Sequence, residues 1–368
     1  MKILYIPPSA IPSRAANSIH VMKMCQAFTD NGHEVVLLAP DHKEKYEISI
    51  EDVFEFYNVR GGFKIVKLMT PKIRIRSIVR TLSVLKNLLL YKPDLVYGRD
   101  VRGCYVASRL GFDTIFEAHD PKRDDKKFHK LIKSKNLKKL VVISQALKDI
   151  YLAAGYLSED KIQVAHDGAD EVTDFETKAE LKGRRDHLKI GYVGHLYQGK
   201  GIEVIEKIAV KVSQQIEFHI IGGLEEDIEY WKNRIHSKNV YFYGFVPQSE
   251  IGGYINALDI CMLPNQKVVY GYREGDEKGE NIGDFTSPLK MFEYMAHRKP
   301  IIASDLEVLK EVLNDEIAVF ADPADENQWI DAIDRLTDKD LRETISRKAL
   351  EVFKNYTWKN RANKVTSQ

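Results

Sequence analysis

The chain has 368 residues, 44% hydrophobic and 30% charged. At roughly 100 to 200 residues per domain, that length predicts two domains, each with its own core. Fifty-five Lys and Arg against 54 Asp and Glu leave a net charge of +1, which argues against the strongly basic domain of a dedicated nucleic-acid binder. Three widely spaced cysteines, Cys25, Cys104 and Cys261, make neither a disulfide framework nor a zinc ligand set.

Met1 leads straight into the apolar run Ile3 to Ile6, with no basic segment or cleavage site of a secretory signal. No stretch approaches the roughly 20 apolar residues of a bilayer span. A cytoplasmic protein is therefore expected. The charge is unevenly placed: residues 1–170 hold 28 basic and 20 acidic residues, a surplus of +8, and the remainder carries −7. Residues 60–93 contain nine Lys or Arg and no acid, and residues 122–139 contain nine more. This asymmetry favours a boundary near residue 175.

In chain order, Val- and Ile-rich strands are predicted at 2–7, 33–39, 63–68, 94–98, 113–118 and 139–143. Helices are predicted near 17–31, 73–91, 101–110 and 144–154, and the run Lys161 to Ala165 closes the first half. Residues 171–187 are polar and strand-free. The pattern then restarts, with strands at 188–194, 216–222, 240–244, 258–263, 299–304 and 317–321. Helices are predicted near 200–211, 225–236, 248–257, 287–298, 306–313, 325–336 and 339–354. Strand–helix alternation with near-continuous apolar strands specifies α/β architecture, a parallel sheet covered on both faces. Two doubly wound domains in tandem would face each other across a cleft, with ligands at the carboxyl ends of the strands. Residues 266–285 interrupt the pattern as a long polar insertion of the kind that is usually a lid or disordered.

Four segments could carry chemistry. After the strand ending at Val193 comes Gly194-His195-Leu-Tyr-Gln-Gly199-Lys200-Gly201. Its glycines permit close backbone approach to an anion, the next helix start favours phosphate, and Lys200 adds a point charge. It is neither a dinucleotide fingerprint nor a Walker loop, and an ordinary turn with a solvated lysine would read the same way. In Thr286-Ser287-Pro288-Leu289-Lys290-Met291-Phe292-Glu293, Ser287 is predicted as the N-cap with Pro288 in the first helical position. The free amides of Leu289 and Lys290 would meet phosphate, while Glu293, on the face of Lys290, would accept from ribose hydroxyls. A well-capped helix with a surface ion pair is the plainer alternative. His119 ends a strand at Phe116-Glu117-Ala118-His119, the edge where groups of parallel sheets collect, although a lone histidine is more often structural. The loop from Pro7 to His20 brings Arg14, Asn17 and His20, and its length and polarity suit a ligand loop.

Together these residues resemble a GT-B fold, family 4 retaining glycosyltransferase, of the glycosyl transferases group 1 type. The resemblance spans the chain: the opening MKILYIPP, the segment Ala27 to Val36, the turn at 199–201, Ile220-Ile-Gly-Gly223, Gly244-Phe-Val-Pro247, the block from Ser287 to Ala296 with Pro300 to Ser304, and Tyr356-Thr-Trp358. It implies an acceptor-binding Rossmann-like domain over 1–172, a linker over 173–187, a nucleotide-sugar-binding Rossmann-like domain over 188–355 and a tail helix over 356–368 that packs back on the first domain. The catalytic residues it implies are His119, Lys200 and Glu293, with Arg14, Asn17 and His20 as acceptor-side candidates. Lys200 would neutralise the leaving diphosphate and Glu293 would hold the ribose. Donor contacts would come from Gly194, His195, Gly199, Gly222, Gly223, Val246, Ser287, Leu289 and Lys290. No metal and no other cofactor are expected, the nucleotide sugar being a substrate.

This sequence departs from the family pattern at three places. His195 replaces a basic residue, Phe285 stands where the first of two motif glutamates would be, and Ala15-Ala16 replaces paired glycines. Asp284 or Glu280 are the substitutes on offer for the missing carboxylate. The expected activity is transfer of a hexose from a UDP- or GDP-sugar to a hydroxyl of a glycan or glycolipid acceptor, in surface polysaccharide or glycoconjugate synthesis. A nucleotide-sugar epimerase of the same fold and a non-catalytic nucleotide-sugar-binding protein are the alternatives. Residues 71–93 place Arg74, Arg76, Arg80 and Lys86 around an apolar helix. Such a helix suits either peripheral contact with the anionic inner face of a membrane or a sheet-covering role with a basic outer face.

Overall fold

The computed structural model describes residues 1–41, 50–69, 76–270 and 281–367. The chain divides into two compact units: Met1–Asp167 together with Trp358–Gln368, and Gly168–Thr357. The first unit holds strands β1 (Lys2–Ile6), β2 (Glu34–Asp41), β3 (Lys64–Met69), β4 (Leu95–Gly98), β5 (Thr114–Ala118), β6 (Leu137–Val142) and β7 (Ile162–Val164). They form one sheet in the order β3-β2-β1-β4-β5-β6-β7, and every pairing is parallel. The second unit holds β8 (Leu188–Val193), β9 (Ile216–Ile221), β10 (Val240–Gly244), β11 (Ile260–Leu263), β12 (Ile301–Ser304) and β13 (Val319–Ala321). Its order, β10-β9-β8-β11-β12-β13, repeats the first layout in parallel register.

The burial pattern explains why these sheets are parallel. Every residue of β9 is buried, as are all four of β11 and of β12. Helices cover both faces, so the strands need no polar side, and the continuous apolar runs of the sequence follow from that. On one face of the first sheet Leu4, Ile6, Val36, Leu38 and Val96 pack against Val84 and Leu88 of the helix Arg76–Tyr91. Each such side chain contributes about 1.5–3 kcal/mol by leaving water.

Strand order reverses beside β1 and beside β8, each flanked by a strand preceding and a strand following a crossover. At such a switch point the loops diverge to opposite faces and leave room for a ligand at the carboxyl edge.

Two short helices escape the sequence reading, Val53–Phe56 and Lys126–Leu131. Each is started by an aspartate whose carboxylate accepts two first-turn amides, Asp52 and Asp125. With so few residues neither shows an apolar period. Residues 173–187, expected as a linker, pack along the second unit. Asn256 Nδ2 donates to the carbonyls of Asp174 and Thr177 at 3.1 and 3.0 Å, and the amide of Arg184 donates to the Glu217 carboxylate at 3.0 Å. The last helix, Trp358–Thr366, belongs to the first unit, where it buries Trp358, Arg361, Ala362 and Val365. Among the described residues no helix is long and apolar enough to cross a membrane.

Candidate active site

In the second unit, the switch point beside β8 gathers residues expected from the sequence to contact a donor. Gly194 leaves β8 at φ +138°, and a Cβ there would lie 2.9 Å from Lys290 Nζ. Gly201, at φ +96°, starts the helix Ile202–Ile208, and a Cβ on it would come within 1.9 Å of the Pro264 carbonyl oxygen. The turn therefore lies directly on the segment leaving β11, and the amide of Gln266 donates to the Gly199 carbonyl at 3.0 Å. Gly222, after β9, touches the same turn: its added Cβ would meet the Gly194 oxygen at 2.5 Å, while its amide donates to Gly244 at 2.8 Å. Gly223 follows at φ +90°, and Val246 is buried beyond β10.

The glycine turn differs from expectation in one respect. The amides of Gly199 and Gly201 both donate to the Glu203 carboxylate, at 3.0 and 3.2 Å. Those donors already serve the turn itself, so attraction for an anion falls to the side chains around it.

These side chains converge. The helix Leu289–Ala296 buries Met291, Phe292, Tyr294, Met295 and Ala296, which leaves Lys290 and Glu293 on its other side. Val193 donates its amide to the Tyr294 hydroxyl at 2.8 Å and ties this helix to the end of β8. The helix starts later than predicted. Pro288 stands at the N-cap, and no side chain among the described residues caps it. Its φ, −75°, is paired with an extended ψ of 121°, which takes it out of the helix. The amides of Leu289 and Lys290 thus lie in the uncapped first turn, where none has a partner within the helix.

Lys290 Nζ sits 3.6 Å from the centroid of the Tyr192 ring, buried, and finds no hydrogen-bond acceptor among the described residues. Burial, then Lys200, hold its ammonium pKa well below the usual lysine range, against an opposing pull from Glu293. His195 is pushed down to about 4 by burial, then by Lys200 and Lys290. Lys200 itself lies over Tyr197, 4.9 Å from the ring centroid. Glu293 accepts from Gln248 Nε2 at 2.9 Å. Lysines 200 and 290, His195 and Glu293 thus share one edge of the sheet, and the buried ammonium among them has no hydrogen-bond acceptor among the described residues. An uncompensated charge of this kind is rare in a finished core.

Ser287 and Phe285 are buried, so the position expected to carry a glutamate presents a packed ring. Asp284 is exposed and accepts from Asn281 Nδ2 at 3.3 Å. Glu280, with the rest of 271–280, lies outside the described residues. The stem of the insertion is pinned: Tyr270 pairs with Asn281, and the Ile282 amide donates to the Val269 carbonyl at 2.8 Å.

In the first unit, His119 follows β5 and its Nε2 bonds Glu117 Oε1. Glu117 is the hub of a buried network. Arg361 Nη1 and Nη2 meet its two oxygens at 3.2 Å each, and Tyr97 donates its hydroxyl to Oε2. His20 Nε2 lies 3.1 Å from Glu117 Oε1 and 3.3 Å from Asp167 Oδ1. Burial alone would raise the Glu117 carboxyl; Arg361, then His20 and His119, hold it well below the usual range. His119 is pushed down to about 4 by burial and Arg99, against Glu117. Of the acceptor-side candidates, Asn17 is exposed and Arg14 is half-buried. His20 departs from expectation: it is 1% exposed and turned into this network, because two carboxylates and the Trp358 ring surround it.

His20, Glu117 and His119 lie at a spacing a metal ion could use. Arg361 already supplies the cation facing Glu117, and Asp167 is 3.8 Å from the same guanidinium. Glu117, Asp167, Tyr97 and Arg361 were assigned no role from sequence. Glu117 had a readable signal, a carboxylate two residues before His119 and so on the same side of an extended chain. Arg361, 244 residues away, had none.

Two parallel-sheet units with matching strand order form the fold of GT-B glycosyltransferases. Residues 187–339 match the family described as Glycosyl transferases group 1, and residues 18–172 match Glycosyltransferase Family 4. The chain belongs to these glycosyltransferases. A 41.2 kDa protein in the cps region of Klebsiella pneumoniae is 23% identical over 188 residues, 49% of this chain and 47% of that one. The chain thus spans about half the length of that relative. The GPI3 subunit of Saccharomyces cerevisiae phosphatidylinositol N-acetylglucosaminyltransferase is 21% identical over 94% of this chain and 78% of its own. Among solved structures, a glycosyltransferase from Rickettsia africae superposes with a TM-score of 0.72 at 15% identity, covering 99% of this chain and 96% of that one. Anabaena HepE in complex with UDP-glucose gives 0.67 at 14% identity, covering 99% and 98%.

Proposed function

We propose that the protein transfers a hexose from a UDP- or GDP-sugar, with retention of configuration, to a hydroxyl of a glycan or glycolipid acceptor in surface polysaccharide or glycoconjugate synthesis. The observation that carries this reading is the buried Lys290 ammonium, which has no acceptor among the described residues, beside Lys200 and the left-handed turn at Gly194. A diphosphate supplies the missing acceptor. It would draw on Lys200, Lys290 and the uncapped amides of Leu289 and Lys290, with Glu293 accepting from ribose hydroxyls and Gly222, Gly223 and Val246 beside the base. As the sugar–phosphate bond breaks, negative charge grows on the phosphate, and fixed cations lower the barrier because they interact more strongly with the product charge than with the bound donor. The two lysines do the work often given to a divalent ion, so the reaction is metal-independent in this scheme. HepE, with its bound UDP-glucose, supports the donor class, and the yeast subunit's name supports a lipid-linked acceptor.

The helix Arg76–Tyr91 supports peripheral contact with a cytoplasmic membrane face. Ile78, Leu82, Leu89 and Leu90 are 57–63% exposed, and Lys86 is exposed among them. Arg80 does not join that surface, since it pairs with Asp100 at 3.2 Å; Arg74 lies outside the described residues.

A thermal-shift series with UDP, GDP, ADP, CMP and NAD in EDTA tests the donor site. One nucleoside diphosphate is expected to stabilise the protein by about 2.7 kcal/mol at 100 times its dissociation constant. Response to NAD alone, or a requirement for a divalent ion, refutes the reading. The buried Phe285 in place of a carboxylate favours the rival reading, binding without transfer; turnover lost in both Lys200→Ala and Glu293→Gln excludes it.

A further inference from the structure

We propose that Glu117 and Arg361 are positioning residues that set the tautomer of His119, holding its hydrogen on Nε2 and leaving Nδ1 bare to accept. The proposal rests on the reading above only in taking His119 as the catalytic group of the first unit. Its physical content is in the network. A carboxylate anion can only accept, so the His119 nitrogen that meets Glu117 must carry the hydrogen. A neutral imidazole then offers its other nitrogen as the acceptor. His119 is neutral near pH 7, so the tautomer, not the charge, decides what this ring can do for a hydroxyl brought to it.

Arg361 makes the arrangement durable. Its guanidinium does not deprotonate and matches both carboxylate oxygens, which keeps Glu117 an anion. The guanidinium is anchored in turn: Nε donates to the His166 carbonyl at 2.9 Å and Nη2 to the Ala165 carbonyl at 3.1 Å. Two rings restrict rotation. His20 meets His119 edge-on at 4.9 Å between centroids, and Trp358 meets His20 edge-on at 5.3 Å. The helix Trp358–Thr366 thus supplies both Arg361 and Trp358 to the network around the histidine that follows β5 in the same unit. An ion network kept in a fully buried place gives little net stability over apolar packing, and orientation of a reacting group gives it a purpose.

The test uses the full chain labelled with nitrogen-15 histidine, His119 being assigned from the signal lost in His119→Asn. In the wild type the nitrogen shifts should report Nε2 protonated and Nδ1 bare from pH 5.5 to 8. Glu117→Gln can present either its oxygen or its amide, so a population with Nδ1 protonated should appear. In the same variant kcat should fall at least about tenfold, as expected when a working histidine adopts the wrong tautomer, with KM for the donor within about twofold. Arg361→Lys keeps a cation without the fork and should fall between the two; it also decides the matter if Glu117→Gln does not fold. A wild type with Nδ1 protonated overturns the proposal. So does a single unchanged tautomer in folded Glu117→Gln and Arg361→Lys. Because the nitrogen shifts need no substrate, they stand or fail separately from any absence of sugar transfer.

Discussion

Replacing Lys290 by methionine should make the empty protein more stable and deprive it of its nucleotide response. The stem of the side chain is kept in length, so no sizeable cavity opens, and the change removes a buried ammonium with no acceptor. Leaving such a group unpaired costs about 1–3 kcal/mol, and the Tyr192 ring beneath it returns about 0.5–2 kcal/mol. Burial and Lys200 outweigh the opposing pull of Glu293 and hold the ammonium pKa well below 10.5, which decides the sign. We expect the variant to gain about 1 kcal/mol, or about 2–4 °C for a unit spanning Gly168–Thr357. The gain has a pH signature. The unfolded lysine keeps its proton up to its ordinary pKa while the folded one loses it earlier. The wild-type penalty is therefore fully present below the folded pKa and vanishes as pH approaches 10.5. Melting curves at pH 7 and pH 9.5, with and without UDP and GDP, measure all of this. With nucleotide at 100 times its dissociation constant the wild type should rise by about 2.7 kcal/mol and overtake the variant. A variant that melts well below the wild type without ligand, or that keeps the full nucleotide response, refutes the reasoning.

Gly201→Ala should lose at least about 3 kcal/mol of stability, since its φ of +96° is a left-handed position and its Cβ would lie 1.9 Å from the Pro264 oxygen; denaturant melts check it, and a loss under 1 kcal/mol would mean the turn relaxes freely. His195, His219 and His297 of the second unit are each pushed down to about 4, chiefly by burial. Unfolded histidines take up protons first, so stability should be flat above pH 6.5 and fall between 6.5 and 4, by about 2 kcal/mol per histidine at pH 5. Urea melts at pH 7 and 5 with His219→Gln should show a shallower fall; an unchanged slope would refute this. Leu82→Asp with Leu89→Asp should abolish sedimentation with anionic vesicles and leave nucleotide binding unchanged, whereas equal sedimentation of both proteins would remove the membrane contact.

Much of this protein is legible in one chain because its local signals are periodic. Strands buried on both faces must be continuously apolar, helices covering them must repeat at 3.6 residues, and the alternation of the two forces parallel sheets; β10 and the helix Gln248–Ala257 fall where the pattern alone places them. The glycines at 194, 199 and 201 mark a turn after β8 for the same reason, since only glycine fits its left-handed steps. Tertiary structure decided the rest. That Glu203 takes the amides of Gly199 and Gly201, that Lys290 ends beneath Gly194 without an acceptor, and that His20 turns inward all depend on where distant segments lie. Arg361 meeting Glu117 across 244 residues is the extreme case. Such pairings are fixed by the packing of whole elements, and a charge in a sequence carries no mark of which opposite charge the fold will bring to it.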